Sequence, residues 1–361
     1  MQNQQERNHI NDNRGRLIMM SPKQTQTAAE ISEIPSTIKH QLEMGIETYW
    51  AVGNELRDID VQGYITCARG SSDHAATFFK YLFETHTGLP VASIGPSVAT
   101  LYKANLKLDG FAAIAFSQSG SSPDILALLD AAGRGGAKTF SVLNVTDSPL
   151  GKIAETILPI HAGPEMAVAA TKSFVGMLIA SLGMLAGYLK DRSIISTLQL
   201  LPDLAQEVIN SEKELPMGQI SKASSLYCIG RGLNYALACE IALKFKELCH
   251  LHAEAYSAAE VLHGPATIAH EKFVTLFIES SGIESASMEA ARQNMKSRGA
   301  TVITLESIPK LTNPSNSHCR IELISPIVQI ISFYVFVEKL ARRFGFNPDL
   351  PTGLEKVTKT F

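Results

Sequence analysis

FAAIAFSQSG, running from Phe111 to Gly120, returns further along the chain as FVTLFIESSG, from Phe273 to Gly282. Two further pairs keep nearly the same offset. YITCARG (Tyr64 to Gly70) matches LYCIGRG (Leu226 to Gly232) at an identical displacement, and GAKTFSVLNV from Gly136 matches GATVITLESI from Gly299, a single position beyond it. One such match is chance; three in order are an internal duplication. In each copy a short apolar run ends in Gly and Ser, and an amphipathic stretch follows. Such runs read as strands buried on both faces, alternating with helices. Asp73 to His86 carries Ala75, Phe78, Phe79, Leu82 and Phe83 at helical spacing and closes at Gly88. Ser122-Pro123-Asp124 is a helix start, with a capping hydroxyl, a first-turn proline and an acid at the positive end. The alternation predicts an α/β fold with two tandem parallel-sheet domains, each a flavodoxin-like three-layer sandwich. The expected divisions are a disordered tail over 1–26, a first domain over 27–205, a second over 206–345 and a C-terminal tail over 346–361. A helical run from Val328 to Phe344 precedes that tail.

The composition agrees with a folded chain and removes several classes. The 361 residues are 45% hydrophobic and 19% charged with a net charge of -3, which excludes a disordered polyelectrolyte and leaves no basic footprint for nucleic acid. The five cysteines have no paired spacing, so neither a disulfide framework nor a zinc site is expected, and free thiols fit a reducing, cytoplasmic compartment. The longest uncharged stretch is Ser173 to Leu189, and it is diluted by Ser173, Gly176, Ser181, Gly183 and Gly187. A membrane span wants about 20 strongly apolar residues, more than this stretch holds, so a closely packed core helix is the expectation, with no membrane partner. The opening MQNQQERNHINDNRGR has no apolar core and is not a secretory signal.

Ser117-Gln118-Ser119-Gly120-Ser121-Ser122 sits where open α/β sheets bind ligands, after a buried strand and before a helix. Free backbone N–H groups, hydroxyls and the helix dipole suit a phosphate dianion without a metal. The loop has neither a Walker lysine nor a Gly-x-Gly-x-x-Gly fingerprint, and no cofactor is expected. Arg69-Gly70-Ser71-Ser72 ends the first strand in the same way and completes a cradle. The matching turn of the second copy holds Glu279, which repels phosphate, so one working site per chain is expected, in copy one. A second cluster crowds Lys244, Glu247, His250, His252, Glu254, Glu260 and His263 into one short segment. Glu240, Lys244 and Glu247 fall within about 60° on one helix face. That pattern is either an ordinary surface ion pair or a carboxylate base beside a cation. His263 in a turn is either simply exposed or a proton carrier near neutral pH. No metal-binding spacing occurs in the segment.

Together these residues resemble the sugar isomerase (SIS) superfamily, and in particular proteins similar to the isomerase half of glucosamine-6-phosphate synthase. The resemblance covers about 27–361. Its carriers are Glu30-Ile31 with Glu33-Ile34-Pro35, SQSGSSPD at 117–124, VAATKSF at 168–174, ALKFKELCHLHAEAY at 242–256, LHGP at 262–265 and NPDLPTGLEKVT at 347–358. It implies phosphate ligands at Ser72, Ser117, Gln118, Ser119 and Ser122, with Ser71 beside them. It implies a proton-moving base at Glu247 with Lys244 next to it, and a tail lysine, Lys356, that contacts or imine-links the open sugar. Val168 and Thr171 fall on the sugar-contacting segment. The ring-opening histidine falls on His263, which the family supplies from the neighbouring subunit, so a homodimer is implied. Ala170, Ser121 and Thr352 depart from the synthase pattern and bear on sugar identity.

The resemblance also implies a reaction. The synthase has an N-terminal glutaminase domain, whereas only a short tail precedes Glu30 here, so the expectation is an aminosugar-phosphate deaminase that does not use glutamine. Its substrate would be glucosamine 6-phosphate. The alternatives are galactosamine 6-phosphate, a deglycase of phosphorylated sugar–amine adducts, and a non-catalytic sugar-phosphate sensor. The joint presence of Glu247, His263 and Lys356 argues against the sensor.

Overall fold

The apolar runs of the duplication form two parallel sheets in the computed structural model, which describes residues 24–211, 215–280, 282–306 and 319–356. Helices α1 (Gln26–Ser32) and α2 (Ile34–Asp58) lead into the first half. There β1 (Gly63–Cys67), α3 (Ser71–Thr87), β2 (Val91–Ser93), α4 (Ser97–Thr100), β3 (Phe111–Ser117), α5 (Pro123–Arg134), β4 (Lys138–Leu143), α6 (Pro149–Ile153), β5 (Thr156–Pro159) and α7 (Lys172–Leu189) alternate. Helices α8 (Arg192–Leu198), α9 (Leu201–Ile209) and α10 (Met217–Ile220) connect the halves. The second half runs β6 (Ser225–Gly230), α11 (Leu233–Cys249), β7 (His252–Ser257), β8 (Val274–Ile278), α12 (Ser285–Ser297), β9 (Thr301–Leu305) and α13 (Ile321–Arg343), with two 3-10 turns between β7 and β8.

The first sheet has the order β2-β1-β3-β4-β5 and the second β7-β6-β8-β9, with every neighbouring pair parallel. Both follow the flavodoxin-like order, which puts a crevice at the carboxyl ends of the central strands. The duplication reaches down to register. Tyr64 pairs with Ala112 and Leu226 with Val274, so both partners shift by the offset of the repeat. Gly70 and Gly232 share the same unusual backbone, φ 56 and ψ -133 against φ 59 and ψ -131. Among the described residues the second sheet has no counterpart of β5.

The halves are not separate sandwiches. One continuous core joins Tyr64, Ile114 and Phe140 of the first sheet to Leu226, Leu276 and Ile303 of the second, through α2, α3, α7, α11 and α13. Each sheet turns its other face to a smaller cluster of its own. By length and composition alone α13 and also α7, which the sequence reading held too short and diluted for a span, could cross a bilayer, yet 78% and 89% of their apolar windows are buried inside the chain. Their hydropathy is satisfied by neighbouring helices and sheets. All five cysteines are free.

Two details differ from the sequence reading. Gln26 opens α1, capped by Thr25, whose hydroxyl accepts from the Ala28 N–H, so the last residue assigned to the tail already lies in a helix. Helical spacing begins the last helix at Val328, whereas α13 starts at Ile321 and runs through Pro326. Proline is a poor interior residue because it lacks an N–H donor. Here it lies near the helix start, and the buried apolar face of α13 outweighs the lost bond.

Glycine sets the closest approach in the core. A Cβ on Gly53 would lie 2.0 Å from the Met184 carbonyl oxygen, and one on Gly187 would lie 2.1 Å from that of Trp50. Helices α2 and α7 therefore touch backbone to backbone. Gly187→Ala should separate them and cost about 1–3 kcal/mol by overpacking. Urea denaturation checks this, and an unchanged midpoint would show that the helices do not touch.

Candidate active site

The cavity of the first sheet lies where topology puts it, between the carboxyl ends of β1 and β3. Two turns build it. After β1 the chain enters α3 through Gly70, whose backbone conformation is open to glycine alone. No side chain caps α3, so its first N–H groups are left for a ligand. After β3, Gly120 turns with φ 61, and its N–H donates to Ser117 Oγ at 2.9 Å. Ser122 caps α5 with an extended backbone and makes no capping bond, so its hydroxyl is uncommitted to the helix. Arg69 donates to Asp124 at 2.8 Å and ties the two turns together. The result is a cavity of about 330 Å³ with hydroxyls and helix starts on one wall.

Ser71, Ser72, Ser117, Gln118, Ser119, Ser122, Val168, Glu247 and Lys356 all line this cavity. Groups far apart in sequence, such as Ser72, Glu247 and Lys356, thus meet at one place. Thr171 does not line it. It is buried at the start of α7, where its N–H donates to Glu165. Lys244 lies directly behind the wall. His263 follows the 3-10 turn Glu260–Leu262, is exposed, and does not line the cavity of its own chain.

Lys244 is the electrostatic hub. Its side chain is wholly buried, and its ammonium donates to Glu247 Oε2 at 2.6 Å and Ser71 Oγ at 3.0 Å and pairs with Glu240 Oε1 at 3.2 Å. Glu240 is also wholly buried, and receives His74 Nδ1 at 2.9 Å and the Tyr334 hydroxyl at 3.2 Å. Burial alone would lower the Lys244 pKa, but Glu240 and Glu247 outweigh it and hold the ammonium well above its ordinary value. Burial alone would raise Glu240, but Lys244 and His74 prevail and hold its carboxyl down. Of the acidic and basic side chains in this group, Glu247 alone lines the cavity, beside a fixed cation.

The opposite wall is held by Glu165, which sequence reading did not single out, and by Glu30 and Asp349 from segments that carry the resemblance. Glu165 is buried and accepts from the N–H groups of Thr171 and Ser173 and from the Ser173 hydroxyl. It also accepts from Lys356 Nζ at 3.2 Å, while the same ammonium donates to the Ala167 carbonyl at 2.6 Å. Glu30 of α1 receives the N–H groups of Met166 and Ala167. Asp349 of the tail caps α1 through the Gln26 and Thr27 N–H groups, and its own carbonyl receives Val168. The only local signal for Glu165 is an acid in an otherwise apolar stretch.

The crevice of the second sheet is built alike and filled differently. Leu233 and Asn234 replace the serines after the glycine, and Glu284 caps α12 where Ser122 caps α5. Its carboxylate accepts from Ser280 Oγ at 3.1 Å and lies 2.8 and 2.5 Å from where Cβ atoms of Gly232 and Gly282 would be. Glu279, the acid noted from sequence, lines the same crevice. The chain's own anion thus stands where a phosphate would bind. Among the described residues no cluster of three metal-ligating side chains occurs.

Comparison with known proteins agrees with this architecture. The SIS domain family matches twice, over residues 62–186 and 219–342. The chain is 32% identical over 342 residues to the glutamine–fructose-6-phosphate aminotransferase (isomerizing) of Methanothermobacter thermautotrophicus, covering 91% of this chain and 56% of that protein. It thus spans about half the length of the curated relatives it matches. A solved candidate phosphosugar isomerase from Silicibacter pomeroyi is 39% identical with TM-score 0.81, over 90% of this chain and all of that one. The glucosamine-6-phosphate deaminase of Thermotoga maritima shares the fold at 20% identity, with TM-score 0.74 over 93% of this chain and 100% of that one. With two tandem copies matched by sequence and folded into parallel sheets of the same order, the chain belongs to the SIS domain family.

Proposed function

We propose that the chain is an aldose–ketose-type enzyme of aminosugar phosphates that converts glucosamine 6-phosphate and water to fructose 6-phosphate and ammonia. The observation that carries this is the placement of Glu247, beside the buried Lys244 ammonium, across one cavity from the serine cradle. The cradle takes the phosphate, and binding energy spent there orients the sugar carbons. Glu247 removes the proton from C2 of the open sugar and returns it at C1. The C2 imine that results takes up water and releases ammonia, so that atoms balance with water as the only co-reactant. Lys356 reaches the sugar end of the cavity, where its ammonium can polarise an oxygen or its amine form an imine. His263 opens the ring from a second copy of the chain, which makes the working unit a homodimer in the cytoplasm.

An ammonia-release assay over a panel of aminosugar phosphates, run with and without glutamine, tests the reading. Release from glucosamine 6-phosphate is expected in both conditions. No release from any member of the panel would reject it, and release of an amino acid from a sugar–amine adduct alone would mark a deglycase.

A further inference from the structure

We propose that His74 and Tyr334 are positioning residues for the proton transfer: they hold the far side of Glu240 so that Lys244 stays on Glu247 and Ser71. The inference rests on the reading of Glu247 as the base. An ammonium has three donors, and Lys244 has three acceptors, Ser71, Glu240 and Glu247. An ionised carboxylate without water needs several donors. Glu240 has three, from Lys244, His74 and Tyr334, on three different helices. Neither His74 nor Tyr334 lines the cavity. Their effect reaches the substrate only through the ammonium.

The arrangement also joins the two ends of the site. Helix α3 begins at the phosphate cradle and α11 carries the base. Ser71–Lys244 and His74–Glu240 are two struts between them, 3.0 and 2.9 Å long and about one helical turn apart. Loss of the second strut leaves Glu240 short of a donor and draws Lys244 towards it. The base carboxylate then keeps less of the cation that favours its charged form. The other groups around the cluster do not substitute for His74. On its own helix His74 has Asp73 as a charged neighbour, and Asp73 in turn feels Arg69 from the turn before. Asp73 is itself raised by burial. Cys239 on α11 faces Glu240 as a thiol that burial pushes up to about 11. From the other side Tyr334 is faced by Glu165, a second acceptor rather than a donor.

The test is the pH profile of kcat/KM for wild type, His74→Ala, His74→Gln and Tyr334→Phe in the full chain. In His74→Ala the acid limb should move up by about half to one pH unit, with kcat near neutrality down about tenfold and KM changed less than about threefold. His74→Gln, which retains an N–H donor, should recover most of the loss. Tyr334→Phe removes only a hydroxyl and should shift the limb in the same direction, which covers the case of His74→Ala failing to fold. An unmoved acid limb in the folded variants of an active wild type, or a loss equal at every pH, overturns this inference alone. Absence of turnover by wild type with every aminosugar phosphate overturns the reaction and this inference together.

Discussion

Glu247→Gln should lower kcat by about 10²–10⁴-fold, the usual contribution of a placed general base, while substrate affinity changes little. The amide keeps the shape of the carboxylate and can still accept from Lys244, so the cavity wall survives. What disappears is the capacity to take the C2 proton. The phosphate cradle is built from other residues, Ser71, Ser72 and the 117–122 loop, so ligand binding should persist. Calorimetric titration with the sugar phosphate beside steady-state kinetics separates the two effects. A variant that turns over near the wild-type rate would remove Glu247 from the mechanism. A variant that loses binding and turnover in proportion would make it a binding group only.

Lys244→Met carries the largest expected effect on stability. It leaves Glu240 buried without its cation, and stranding one partner of a buried ion pair costs about 3–5 kcal/mol. The pH dependence has a definite sign. In the wild type Glu240 is held down, so its contribution is present above its unfolded value and lost as pH falls through its folded value. The Lys244 pKa is held up, so its contribution is present below the unfolded value and lost only as pH rises through the folded one. Without Lys244 the dominant influence on Glu240 becomes burial, which raises a carboxyl. The variant should therefore regain stability on acidification from pH 8 to 5, relative to wild type. Glu240→Gln added to Lys244→Met should recover a large part of the loss. Urea denaturation at both pH values for wild type, the two single variants and the double variant measures this, and additive losses in the double variant would show that the two groups do not form a pair.

Much of this site could be read from the chain before folding. Strand β3 and its loop announce themselves because a strand buried on both faces must be apolar, and a turn that binds an anion needs small hydroxylated residues. Lys244 and Glu247 are visible because helical spacing puts them on one face. Lys356 is different: nothing local marks it, and only family resemblance placed it at the cavity. His74, Glu165 and Tyr334 escaped for a related reason. His74 and Tyr334 both meet Glu240 from distant parts of the sequence. Such partners depend on which helix faces pack together, and periodicity shows that a face is apolar without saying what covers it. The same gap hid the common core. A repeat suggests two self-sufficient sandwiches, whereas the inner helices of each copy complete the other.

That common core has a bearing on how far the two copies are separable. A duplicated domain ordinarily leaves two interchangeable units, either of which can be deleted, transplanted or recombined. Here α3 of the first copy packs against α11 of the second, and α13 lies against α1 and α7 of the first half and the connecting α9 as well as its own α11. Release of either half would bare surfaces that no longer have a cover. With the two copies joined in one core, neither half is a self-contained unit. The first copy keeps an open cavity at its serine turns, and the second fills its own with Glu284 while its α11 puts Glu247 on the wall of the first. Two copies of one fold thus contribute unequal walls to a single cavity.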